Sequence, residues 1–577
     1  MKTFFKWLAA VIAVVIVLVA GFIIIINSLL SSEVTVHDNS YLHMDISGSL
    51  PEYVAPDALE EALGQVTMDL RIIRENLEKA AVDERINGVA LEIGFLQTGY
   101  AKIQELHHLI TEFRKSGKKI YAFLGPELAF TKDYYVATAC DSVFMAPTAN
   151  LTLSGVRSEI TFYKKFFDKL GIEAEFTQIG EYKNAPDVYT RPAMAPAHRE
   201  VLQNIVDRFY EDLVTTISRD RDMPKNTVER LINTESGFTG KEAARKGLID
   251  RCLYKSDLAA KFNINGRKPI KIKGSDYARV ALSSLEIRTQ SRIAVINLTG
   301  VISSGSDSEQ PYFGKILGAT TAVKNLRRAA ASKLIKAIIL RIDSPGGSAT
   351  ASDEIWQAIR SAAKKKPVIA SVSDYGASGG YYIAMAADTI INAPNSLVGS
   401  IGIYAGKFNV AGLYDKLGLK HETVSRGENA GLFSLMQPWT RQEKAIIEKL
   451  IKDFYDQFLE KTARARNLSP EQVEPLARGR VWTGEEAVQN HLCDKNGYFY
   501  DAVQIAKERA SVPTDESVRL VYYPREKSLL SQVLGSIHAR IGWKNYGVES
   551  ALFEVIPVLQ KLQNRPLALL PYRLSWD

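Results

Sequence analysis

The chain has 577 residues, of which 46% are apolar and 24% charged, with a formal net charge of +7 at neutral pH. That length exceeds one ordinary hydrophobic core, so two or more globular domains are expected. The interspersed charge of both signs excludes a nucleic-acid footprint, and the three cysteines, Cys140, Cys252 and Cys493, have neither metal-ligand spacing nor the number for a disulfide framework.

Trp7–Ile26 is an uncharged apolar stretch of about the length that spans a bilayer as a helix. Lys2 and Lys6 precede it, which predicts a cytoplasmic N-terminus. A cleavable signal peptide is the rival reading, but Asn27–Glu33 offers no Ala-x-Ala site. Residues 1–33 are therefore expected to anchor the chain, with the body outside the cytoplasm.

The body is an internal repeat. Asp141–Pro147 matches Asp388–Pro394, Tyr134-Tyr135 matches Tyr381-Tyr382, Asp168–Gly171 matches Asp415–Gly418, and Gly180-Glu181 matches Gly427-Glu428, every pair 247 positions apart. Phe238–Asp250 matches Trp482–Asp494 further on. So long a period means two whole domains. Each half runs strand (Tyr41–Ile46; Ile293–Leu298), helix, buried strand (Gly88–Ile93; Lys336–Ile342), helix, third strand (Lys119–Leu124; Val368–Val372), then a short helix, a short strand and long amphipathic helices such as Gln442–Arg464. Strands alternating with helices predict mainly parallel α/β layers. The expected divisions are a first repeat over 34–254, a polar connection over 255–291, a second repeat over 292–510 and a tail of unassigned role over 511–577.

The two halves differ where chemistry would sit. Ser378 stands at a glycine-flanked corner, Gly376-Ala-Ser-Gly-Gly380, between an apolar strand and a small-residue helix. A hydroxyl there stands clear of its neighbours, and the amides after it suit an oxyanion. Its counterpart in the first half is Thr131, followed by Lys132-Asp133. The loop Asp343-Ser-Pro-Gly-Gly-Ser348, whose Gly346 and Gly347 let backbone approach a substrate, has no glycine pair in the first half. A turn needed only for packing should have persisted in both copies. For a base, the histidines are unpromising: His421 and His491 lie in stretches shared by the halves. Conversely, Lys183 in Gly180-Glu-Tyr-Lys-Asn-Ala185 falls opposite Ala430, and a lysine acts as a base when burial lowers its pKa. A surface lysine fits its position as well.

Together, Asp374-Tyr-Gly-Ala-Ser-Gly-Gly-Tyr-Tyr382, Asp343-Ser-Pro-Gly-Gly347, Gly399-Ser-Ile-Gly-Ile403 and Gly180-Glu-Tyr-Lys183 resemble the bacterial signal peptide peptidase A (protease IV) family in its long, duplicated form, from the N-terminal stretch to about residue 510. The resemblance implies two tandem ClpP/crotonase-like α/β domains behind one transmembrane helix, a homotetramer outside the cytoplasm on the inner membrane, and cleavage of remnant signal peptides and other membrane-associated peptides. It implies Ser378 as nucleophile and Lys183 as base. The amides of Gly379 and of Gly346 or Gly347 would then hold the oxyanion. Ser400, opposite Leu153, is a candidate to orient the lysine. No metal or organic cofactor is implied. Three rivals stand beside this reading: an α/β-hydrolase built on Gly-x-Ser-x-Gly with a downstream histidine such as His421, His491 or His538, a crotonase-type acyl-CoA enzyme, and a catalytically silent membrane scaffold.

Overall fold

The computed structural model describes residues 34–55, 67–263, 266–285, 289–310, 314–524 and 567–569, with scattered positions before residue 34. The apolar stretch Trp7–Ile26 and His538 lie outside these, apart from isolated positions of the former. No helix among the described residues is long and apolar enough to cross a membrane.

The first repeat contributes β1 (Ser40–Gly48), α1 (Leu70–Val82), β2 (Ile86–Leu96), α2 (Tyr100–Arg114), β3 (Lys119–Leu124), α3 (Thr131–Ala137), β4 (Ser142–Met145), β5 (Glu173–Ile179), α4 (Pro196–Asp220), β6 (Arg251–Cys252) and β7 (Ile270–Lys273). A six-stranded parallel sheet runs β7-β1-β2-β3-β4-β6. Val89, Ala90, Leu91 and Ile93 of β2 are all fully buried, as expected of a strand covered on both faces. α1 turns Leu70, Ile72, Ile73 and Leu77 inward, and the Asp69 carboxylate caps it by accepting the Ile72 N–H. β7 corrects the sequence reading of 255–291 as a connection: Ile270–Lys273 pairs with Ser40–His43 and extends the sheet. It is an edge strand with only Ile272 buried, and its lysines made it read as linker.

The second repeat contributes β8 (Arg292–Thr299), β9 (Val301–Ser303), β10 (Ser308–Gln310), β11 (Gly314–Gly318), α5 (Ala319–Ala331), β12 (Ile335–Ser344), β13 (Gly346–Ser348), α6 (Ala349–Ala363), β14 (Val368–Ala377), α7 (Gly379–Ala384), β15 (Thr389–Asn392), β16 (Leu397–Gly399), β17 (Ile403–Asn409), α8 (Arg441–Arg466), β18 (Val481–Thr483), β19 (Lys495–Asn496), α9 (Phe499–Arg509) and β20 (Arg519–Tyr523). The main sheet runs β18-β16-β14-β12-β8-β20, with β15 beside β14 and β19 beside β15. β20 corrects the boundary at 510: Arg519–Tyr523 pairs in parallel with Arg292–Ile296, so the second repeat's sheet continues past that point.

The repetition extends to individual bonds. Tyr134 donates its hydroxyl to the Leu248 carbonyl (2.6 Å), as Tyr381 does to Leu492 (2.8 Å). The Val143 N–H donates to Asp250, as Ile390 does to Asp494.

A third sheet joins the copies. Its order is β10-β11-β9-β13-β21-β17-β5, where β21 is Leu567–Leu569. β5, from the first repeat, lies antiparallel to β17, from the second, in unbroken register from Ile179↔Ile403 to Glu173↔Asn409. β21 lies antiparallel between β13 and β17, with Ala568 opposite Gly347 and Leu567 opposite Tyr404.

Candidate active site

Ser378 sits between β14 and α7 in a backbone conformation that L-residues rarely adopt (φ 57°, ψ −117°). Such strain costs on the order of 1–3 kcal/mol and persists only where the surroundings impose it. Here the Ser378 N–H donates to Gly399 O (2.7 Å) and its carbonyl accepts the Tyr382 N–H (2.8 Å). A Cβ on Gly379 would lie 3.1 Å from Gly347 N and 2.6 Å from Ser352 Oγ, so the residue after the serine touches the glycine loop directly. The Gly346 N–H donates to Ser344 Oγ (3.2 Å).

The β5–β17 pairing carries the first repeat's chain to this corner. Four residues beyond β5, Lys183 Nζ lies 2.7 Å from Ser378 Oγ. The same nitrogen lies 3.1 Å from both Ser400 Oγ and Ser400 O. Lys183, Ser378 and Ser400 are each fully buried (0% exposed). Ser400 also holds a positive φ (48°), with its N–H donating to Arg480 O (2.7 Å). Gly479 closes the back of the lysine: its φ is +82°, and a Cβ there would sit 2.5 Å from Lys183 N. Burial pushes the Lys183 amine well below the ordinary lysine value, with no neighbouring charge to offset it. Ser378, Lys183, Ser400 and the glycine loop therefore converge, from opposite repeats. No histidine among the described residues hydrogen-bonds to Ser378 or Lys183; His421 pairs with Thr423 on the surface.

Behind the corner lies a buried ion cluster that the sequence did not bring together. Lys102 of α2 places Nζ 2.6 Å from Asp343 Oδ2 and 3.1 Å from Asp374 Oδ2, with Glu52 at 3.8 Å. Arg341 bonds Glu52 (2.7 Å), Ser371 (2.9 Å) and Glu105, and Glu105 also pairs with Arg74 (2.8 Å). Burial alone would lower the Lys102 amine, but Asp343 and Asp374 overcome it and hold it well above the ordinary value. Burial likewise opposes ionisation of Glu52, yet Arg341 and Lys102 bring its carboxyl down to about 2. Asp343 and Asp374 head two of the motifs singled out in the sequence. Lys102 sits in an ordinary amphipathic pattern, and nothing there marks it.

Comparison with known proteins agrees with the fold. The chain belongs to peptidase family S49, whose model matches residues 112–266 and 360–513, one stretch in each repeat. A Clp protease model also matches residues 317–398. The chain is a serine peptidase of the long, duplicated signal peptide peptidase A type. It is 35% identical to the chloroplastic serine protease SPPA of Arabidopsis thaliana over 82% of this chain and 70% of that one. It is 29% identical to protease 4 of Haemophilus influenzae, over 77% of this chain and 73% of the relative. A putative signal peptide peptidase SppA of Enterococcus faecium is 29% identical over 39% of this chain and 66% of its own length.

Proposed function

We propose that the chain is a membrane-anchored Ser–Lys endopeptidase that degrades cleaved signal peptides and other membrane-associated peptides. The observation that carries the dyad is the 2.7 Å approach of the buried, charge-isolated Lys183 amine to Ser378 Oγ. Neutral Lys183 accepts the Ser378 proton as the oxygen attacks the peptide carbonyl. The Gly379 amide and one from the glycine loop hold the oxyanion, Gly347 being the better candidate because the Gly346 N–H already donates to Ser344 Oγ, and each such donor is worth about 3–4 kcal/mol. Lys183 then passes its proton to the leaving amine, and water hydrolyses the ester through the same base. Ser400, with two oxygens 3.1 Å from the amine, orients its lone pair toward Ser378.

The peptide class is supported by backbone geometry. The glycine loop of β13 and the facing β17 already accept an extended segment between them, Leu567–Leu569, as a substrate strand would be held. Trp7–Ile26, preceded by Lys2 and Lys6, supports a single-pass anchor in the inner membrane with the body on the extracytoplasmic side. The family resemblance supports a homotetramer. A fluorophosphonate probe tests the nucleophile: Ser378→Ala should lose both labelling and peptide hydrolysis while melting as the wild type does. Undiminished labelling of that variant would refute the assignment.

A further inference from the structure

The dyad and oxyanion donors leave the ion cluster without a role, although it touches both segments that build the site. Asp343 directly precedes the Ser344–Gly347 loop, and Asp374 lies four residues before Ser378. One oxygen of each carboxylate faces the Lys102 amine; the other is fixed by backbone. Asp343 Oδ1 accepts the Tyr375 N–H (3.2 Å), and Asp374 Oδ1 accepts the N–H of Lys102 itself (3.1 Å). The packing leaves no slack, since a Cβ on Gly99 at the start of α2 would sit 2.1 Å from the Asp374 carboxyl carbon.

We propose that Lys102, carried by the first repeat, is a positioning residue that holds the second repeat's glycine loop and nucleophile strand in register through Asp343 and Asp374. The inference rests on Ser378 and the glycine loop forming the catalytic centre. Lys102 touches no substrate; it acts by neutralising two buried carboxylates that otherwise repel. A lysine suits this, because three donors on one compact charge bind several oxygens at once. The remaining charged groups around it are Glu52 at 3.8 Å, which Arg341 engages, and Glu105, shared by Arg341 and Arg74. Removing Lys102 thus leaves Asp343 and Asp374 as the pair without a bridging cation.

The test compares wild type, Lys102→Met and the double variant Lys102→Met/Asp374→Asn in the full chain. The rate of fluorophosphonate labelling at Ser378 is measured from pH 6 to pH 8.5. Like charges in a buried site favour uptake of a proton, so the loops of Lys102→Met are closest to native at low pH. Its labelling rate, as a ratio to wild type, should fall as pH rises, reaching a deficit of about 100-fold, the scale of an ångström misplacement. The Asp374→Asn change keeps the shape of the side chain and removes the repulsion, so the double variant should recover at least about tenfold of that loss and show a ratio independent of pH. A purely structural lysine would produce no such pH trend and no such rescue. Amide hydrogen exchange over 343–348 and 372–380 reads the same clamp without chemistry. Faster exchange in both segments of Lys102→Met, reversed in the double variant, supports it even if the wild type fails to label, a result that would sink the nucleophile assignment alone. A labelling ratio within about twofold of wild type at every pH, or exchange unchanged in both segments, overturns the clamp.

Discussion

Replacing Lys183 with methionine should make the protein inactive and more stable at neutral pH. Methionine has nearly the same length and no charge to bury. The wild-type amine is fully buried, its hydrogen-bond partners are Ser378 and Ser400, and burial depresses its pKa well below the ordinary value of about 10.4. Between that ordinary value and the depressed one, the unfolded chain carries a proton at Lys183 that the folded chain lacks. Protons bound in excess by the unfolded state make stability rise with pH. The lysine therefore costs the fold progressively more as pH falls through this window, by about 1.4 kcal/mol per pH unit. Below the folded pKa both states are protonated and the penalty stops growing. Lys183→Met lacks the penalty throughout. Its melting temperature should exceed the wild type's by an amount that grows about 3–6 °C for each unit of pH lowered, if the repeats melt as domains of ordinary size. Thermal denaturation of both proteins from pH 6 to pH 10, with peptide hydrolysis measured alongside, checks this. Hydrolysis by the wild type should rise with pH through the depressed pKa, and Lys183→Arg, which cannot lose its proton, should be as inactive as the methionine variant. Equal melting temperatures at every pH, or substantial turnover by the arginine variant, would refute a neutral buried base.

Two further outcomes follow from backbone geometry. Gly479→Ala, which combines a positive φ with a Cβ 2.5 Å from Lys183 N, should cost about 1–3 kcal/mol of stability and cut hydrolysis about 100-fold, as melting and turnover assays would show; near-wild-type values for both would contradict the packing described. Ala568→Pro removes an N–H from a strand paired on both edges, so it should vacate the slot beside Gly347 and lower KM for an added peptide with kcat unchanged; an unchanged KM would mean that Leu567–Leu569 does not compete with substrate.

The duplication and the serine corner were legible because each copy serves as a control for the other. Asp141–Pro147 and Asp388–Pro394 share a strand and its turn, whereas Thr131 against Ser378, and Lys183 against Ala430, differ at aligned positions. What the sequence hid lies in pairings across the copies. Glu173–Ile179 has no local feature that names Ile403–Asn409 as its partner, since that choice depends on which sheet edges the two folded repeats bring together. The strands Ile270–Lys273 and Arg519–Tyr523 read as connection and tail although both close the edges of sheets; in the first, exposed lysines hide the pattern, whereas the second is a short Arg-Leu-Val-Tyr-Tyr run with only Arg519 exposed. Lys102 was invisible for a related reason: its burial comes from the docking of α2 against the second repeat.

The seam between Glu173–Ile179 and Ile403–Asn409 also bears on when the molecule becomes dangerous to its surroundings. During synthesis the lysine emerges first, in a segment whose partner strand does not yet exist. With no second repeat to bury it, the desolvation that lowers its pKa in the folded chain is absent. At ordinary elongation speeds, on the order of 5–20 residues per second, some 10–45 s separate the appearance of Lys183 from that of Asn409. A chain cut short in that interval has one half of a cutting edge and nothing to close it against. Under the proposed dyad, splitting the chemistry between the copies would delay proteolysis until both repeats have been made.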